Sequence, residues 1–342
     1  MNIDPSWSLQ IIESIKEKAR QGQKRIVLPE SGEERILRAA SQALAEGVAK
    51  PILLGSECEI YSFSKKLSIS LSGIEIVDPS STDRLERYVE EYLKIRSGKE
   101  VTDVLARRIL LKNLYFGAMM VRVGDADGMV AGAATLTASV IKAGHLIIGF
   151  QKGIETPSSF FLMETNNHEV GEGGVLIYAD AAVNPDPSPE QLADIAISSA
   201  RSARALLGWE PRVAILSFST KGSASHPLVD KVIRATEIAK RKAPSVLIDG
   251  ELQADAALKA DVAKKKMKDT GPVAGRANVL IFPDLNSGNI SYKLTQHICG
   301  AKAYGPILQG FAKPVSDLSR GARTEEIVGV IAIVSVLAQS TG

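Results

Sequence analysis

The sequence predicts an α/β fold, two α/β/α domains on mainly parallel sheets, and three observations lead there. From residue 24 onward, short β-rich apolar runs alternate with amphipathic helical segments, the pattern of a parallel sheet covered by helices. The alternation begins again after Gly149. At 342 residues, 45% apolar and 23% charged, the chain is long enough for two ordinary domains and too apolar for a disordered one.

In chain order, Ile11, Ile12 and Ile15 lie among Glu13, Lys16, Glu17 and Lys18, which predicts an amphipathic helix over 7–20, a packing element or a docking peptide. Strands are predicted at 24–30 (KRIVLPE), 50–54 and 74–77, with a helix over 33–46 whose apolar side is Ile36, Leu37, Ala40 and Leu44. A charged helix follows over 82–96, then a long helical stretch over 101–123. The most apolar tract, 129–150, is broken by Thr135, Thr137, Lys142 and His145, so it reads as a buried strand and helix and not as a membrane span. The second half predicts strands at 160–164, 175–178, 212–218, 246–250 and 278–283, and helices over 188–207, 227–242, 254–268 and 288–299. The run 327–338 is too short to cross a bilayer and reads as a core helix.

Composition excludes several classes. A net charge of +2 gives no electrostatic case for nucleic acid or a membrane surface. Cys58 and Cys299 offer neither metal spacing nor a disulfide framework, which fits a reducing cytoplasm. There is no GxGxxG, Walker A, HExxH or GxSxG pattern, and the four histidines (145, 168, 226 and 297) have no metal-ligand spacing.

What remains is a set of polar loops, each following a strand. Ser217–Ser225 (SFSTKGSAS) brings Ser219, Thr220 and Lys221 to a strand end, where hydroxyls, glycine and a cation suit phosphate. Asp249–Asp255 carries three carboxylates, read as a capping cluster more readily than as a metal site. Pro283–Asn289 supplies Asn286 and Asn289. In a parallel sheet these three loops share one edge. The stretch 305–330 then places Ser319 and Arg320 in a turn before a helix opening near Thr324. Unpaired backbone N–H groups and a planar guanidinium there suit an anion. Each loop alone also admits the plain reading of a capped, solvated turn.

Together these segments resemble the phosphate acetyltransferase family. The match runs through Ala126–Ala133 (ADGMVAGA), SFSTKGSAS, Asp249–Ala256 (DGELQADA), Pro272–Asn289 (PVAGRANVLIFPDLNSGN) and Gly305–Val328, and covers nearly the whole chain. The resemblance implies an acyltransferase that interconverts acetyl-CoA plus phosphate with acetyl phosphate plus CoA. It implies no metal or tightly held cofactor, CoA as a substrate, and a homodimer. It also implies an active-site cleft between two domains, residues 1–150 with 306–342 and residues 151–305. By the same resemblance Ser319 stabilises the transition state and Arg320 holds the phosphoryl group. Glu326 stands where the family has an aspartate base, with Glu325 beside it. Arg96 matches a CoA-binding arginine, while Lys142 and His297 stand where the family has arginines, so both are expected to contact substrate with altered grip. A propionyl- or butyryl-preferring enzyme is the alternative within this class. A non-catalytic acyl-CoA or acyl-phosphate sensor is the alternative outside it. A dehydrogenase on a related scaffold is disfavoured by the missing dinucleotide fingerprint.

Overall fold

A computed structural model describes residues 10–98 and 100–340. They form two compact bodies, one of Ile12–Gln151 with the chain from Phe311 onward, the other built on Lys152–Gly310.

The first body opens with α1 (Gln10–Gly22) from Ile12 onward, then β1 (Arg25–Leu28), α2 (Glu34–Ala45), β2 (Lys50–Leu54), α3 (Glu57–Lys66) and β3 (Glu75–Val77). It continues through α4 (Arg84–Ile95), α5 (Asp103–Leu110), α6 (Asn113–Val123), β4 (Gly128–Val130) and α7 (Thr137–Ala143), which runs on as one π turn over Gly144–Ile148. The second body holds β5 (Ser158–Glu164), β6 (Val175–Ala179), α8 (Pro189–Leu207), β7 (Arg212–Leu216), α9 (Pro227–Lys242) and β8 (Leu247–Leu252). It ends with α10 (Ala254–Leu258), α11 (Ala260–Lys266), β9 (Val279–Ile281), α12 (Leu285–Cys299) and β10 (Lys302–Gln309). β11 (Val315–Ser316) and α13 (Thr324–Gln339) return to the first body. The return comes at Phe311 and not at Pro306, because β10 stays paired with β5 as far as Gln309.

The first sheet runs β11-β4-β1-β2-β3 with every neighbour parallel. Its strands are buried on both faces, which is why they read as short apolar runs and not as alternation. α13 is buried from Ile327 to Val336, a helix apolar all round because it lies against the sheet and α2. α1 buries Ile12, Ile15 and Ala19, and the Gln339 amide donates to the carbonyls of Lys18 and Ala19, so its described part is a packing element. Residues 7–9 of the expected helix lie outside the described residues. The stretch 101–123 is two helices and not one. They part at Leu111–Lys112, and the Asn113 amide at the start of α6 donates to the carbonyls of Pro29 and Leu54.

The second sheet runs β10-β5-β6-β9-β7-β8, antiparallel from β10 to β6 and parallel from β6 to β8. α8 starts with a reciprocal cap: Ser188 accepts from the Gln191 N–H, Gln191 accepts from the Ser188 N–H, and Pro189 opens the helix. The expected helix over 254–268 breaks at Lys259, which takes an extended conformation between α10 and α11.

Candidate active site

In the first sheet β1 leads through α2 to β2 on one side, while β4 lies on its other side. The strand order therefore reverses between β1 and β4, and the crevice beyond the carboxyl ends of those strands is where such folds bind ligands. Three loops meet there. After β1 comes Glu30, half-buried, whose carboxylate accepts the N–H groups of Ala133 (2.8 Å), Ala134 (3.0 Å) and Thr135 (2.7 Å) from the loop after β4. Arg35, at the start of α2, donates to the carbonyls of Arg320 (2.8 Å), Ala322 (2.9 Å) and Ala133 (3.3 Å), so it ties the loop after β11 to the loop after β4. Glu30 and Arg35 escaped the sequence reading; the only signal was the Pro-Glu that ends KRIVLPE. Glu30→Ala would leave three N–H groups to find water or stay unpaired. It is expected to lower stability by about 1–3 kcal/mol, read as a lower urea midpoint with an unchanged slope.

Ser319 and Arg320 are exposed on this edge. Ser319 Oγ accepts from the Gly321 N–H (3.3 Å). The Arg320 carbonyl is held by Arg35, but its guanidinium forms no ion pair among the described residues. Glu326 is differently placed. It sits in the first turn of α13, accepts the Arg323 N–H (2.9 Å) and pairs with the Arg323 guanidinium (3.1 Å). Its carboxylate thus completes a helix cap, and a proton arriving on it would displace a bond the helix end is using. Glu325 is exposed beside it.

Behind Ser319 lies Asp317, 1% exposed. Its Oδ2 accepts the hydroxyl of Thr137, the first residue of α7, and its Oδ1 has no hydrogen-bond partner among the described residues. Burial pushes its pKa up to about 6, opposed by the Thr137 hydroxyl, the Leu318 N–H and, least, Arg320, and helped by the nearby Glu30 charge. Gly132 makes this approach possible: at φ +108 it carries no Cβ, and a Cβ there would lie 2.1 Å from Asp317 Oδ1.

Two other expected contacts belong to this body. Lys142 is exposed in the last turn of α7. Arg96 caps the far end of α4, whose first turns pair Arg84 with Glu75 and Arg87 with Asp125; its Nε is buried without a hydrogen-bond partner among the described residues.

The second body presents its own carboxyl edge, where the loops after β7, β8 and β9 do gather. Ser219 and Thr220 are buried and serve the loop itself. Ser219 Oγ donates to Glu251 (3.2 Å), which also accepts the Gly222 N–H (2.7 Å), and Thr220 Oγ1 donates to Gln253 (3.1 Å). Lys221 is exposed and paired with Asp249 (2.7 Å). The three carboxylates of the 249–255 segment go to separate partners, Asp249 to Lys221 and Lys240, Glu251 to Ser219 and Gly222, and Asp255 to Lys266. Asn286 is exposed, Asn289 donates to the Ala181 carbonyl (2.9 Å), and His297 is exposed in the last turn of α12. Asp180, which the sequence reading also missed, is buried and accepts the Ser159 hydroxyl and the N–H groups of Ala182, Val183 and Asn184.

The first sheet thus sets the Ser319-Arg320 turn at its switch point. The model of the phosphate acetyl/butaryl transferase family matches residues 10–335, and the chain belongs to that family. It is 52% identical to a phosphate acetyltransferase of Thermoanaerobacterium thermosaccharolyticum, over 97% of this chain and 100% of that protein. It is 48% identical to one of Acetivibrio thermocellus, over 97% and 99%. Its structure is similar to that of a phosphotransacetylase from Streptococcus pyogenes, with a TM-score of 0.91 at 39% identity, over 99% of this chain and 100% of that one.

Proposed function

We propose that the chain is a phosphate acetyltransferase, moving an acetyl group reversibly between CoA and inorganic phosphate. The observation that carries this is the Ser319-Arg320 turn: an exposed hydroxyl and a guanidinium without an ion pair among the described residues, on a backbone that Arg35 clamps. Relatives at 41–52% identity bear the same activity as their name. Arg320 takes the phosphoryl oxygens in a two-pronged contact, and Ser319 donates to the oxygen that becomes negative as the thiol adds. Lys142, Arg96, Lys221, His297, Asn286 and Asn289 are substrate contacts in this reading, with CoA as substrate and not as resident cofactor.

The protein works as a homodimer in the cytoplasm. α12 supports the first point: Ile290, Leu294 and Ile298, four residues apart, form an exposed apolar stripe on one helix face. Two exposed free cysteines support the second, and among the described residues no helix is long and apolar enough to cross a membrane.

The test supplies purified protein with CoA and acetyl, propionyl or butyryl phosphate and follows thioester absorbance. Turnover is expected with all three, highest with acetyl, since one methylene changes binding by only about 1–3 kcal/mol. No turnover with any of them sinks the reading and favours a sensor. Ser319→Ala is expected to lower kcat about 10²–10³-fold with a smaller change in KM, as for a donor that acts on developing charge.

A further inference from the structure

We infer that Thr137 and Asp317 form the proton relay of this site: Thr137 Oγ1 meets the CoA thiol, and Asp317 receives the proton from behind it. The inference rests on the acetyltransferase reading and deepens it.

Thr137 is only half-buried at the mouth of α7, so its oxygen is within reach of a substrate on this edge. Its hydroxyl hydrogen is committed to Asp317 Oδ2, which leaves the oxygen's lone pairs to accept from an S–H. Asp317 cannot meet substrate itself, being 1% exposed beneath Gly132 and Leu318. It can act only through the threonine. Glu326, the other carboxylate near Ser319, is already engaged in the cap of α13.

The step balances. The thiol S–H bond breaks and its proton passes to Thr137 Oγ1 as that hydroxyl's own proton passes to Asp317 Oδ2. The sulfur forms a bond to the acyl carbon, and the bond from that carbon to the phosphate oxygen breaks, its electron pair leaving with phosphate. In the opposite direction neutral Asp317 returns the proton. The charged groups facing Asp317 are Glu30, from the loop after β1, and Arg320, from its own loop. Burial keeps its pKa near about 6, high enough to accept a proton and low enough to be ionised at neutral pH.

The experiment measures kcat and kcat/KM with CoA and acetyl phosphate from about pH 5 to 9 for the full chain and four variants, each checked by circular dichroism. Thr137→Val and Asp317→Asn are expected to lose about 10²-fold in kcat, the usual worth of a positioned acid or base. Thr137→Ser keeps the hydroxyl and is expected within a few-fold of wild type. Asp317→Asn is expected to lose the acid limb near pH 6, whereas Glu326→Gln, whatever its turnover, keeps it. Wild-type kcat in Thr137→Val, or an acid limb that survives in Asp317→Asn and vanishes in Glu326→Gln, overturns the relay. If Asp317→Asn does not fold, the contrast between valine and serine at 137 decides. A wild-type enzyme without turnover would sink the acetyltransferase reading instead, so the two failures are distinguishable.

Discussion

Arg320→Ala is expected to lower kcat/KM for acetyl phosphate by about 10²–10³-fold, the scale of removing one preorganised cation or donor from a transferring phosphoryl group. The loss should be clean, because the loop does not depend on this side chain. Arg35 holds the Arg320 carbonyl at 2.8 Å and the Ala322 carbonyl at 2.9 Å, both backbone contacts that alanine keeps. Arg320→Lys should recover little, since an ammonium cannot reproduce a planar fork. A second signature follows from Asp317. Arg320 lowers that carboxyl's pKa, so its removal should move the acid limb of the remaining activity to higher pH. A kcat/KM within three-fold of wild type would remove Arg320 from the phosphoryl site. A large loss with an unmoved limb would separate Arg320 from Asp317.

Most of the architecture was legible because parallel strands buried on both faces are short apolar runs. KRIVLPE, VLIDG and NVLIFP each became a strand of the expected kind. α3 gave little signal, since it buries only Ile60 and Ser64 and so carries no apolar stripe. The division of 101–123 into α5 and α6 was hidden for another reason: the Asn113 amide reaches carbonyls more than fifty residues away in sequence, which no local pattern encodes. The same limit governed the site. Ser319 and Arg320 sit in a turn before a helix; that turn alone also reads as a capped, solvated one, and only the resemblance singles them out. Glu326, a base only by resemblance, also caps α13, and Ser219 and Thr220 are buried in their own loop; no local pattern encodes either placement. Glu30, Arg35 and Asp317 act across loops contributed by distant strands, so only the assembled sheet reveals them.

Asp317→Asn should change how stability depends on pH, independently of catalysis. In the wild type the folded carboxyl has its pKa raised from 3.8 to about 6, so between those values the native state binds more protons than the unfolded chain. Stability must then fall as pH rises through that window, and the deficit is complete above about 6. A rise of that size corresponds to about 3 kcal/mol, since each pKa unit is worth about 1.4 kcal/mol. Asparagine cannot ionise, and whatever its amide gains or loses in packing is the same at every pH. The difference in unfolding free energy, variant minus wild type, should therefore grow by about 3 kcal/mol between about pH 3 and pH 7 and stay level above. Urea titrations of both proteins at a series of pH values measure that difference directly. A difference that does not change with pH would mean that Asp317 ionises as readily folded as unfolded.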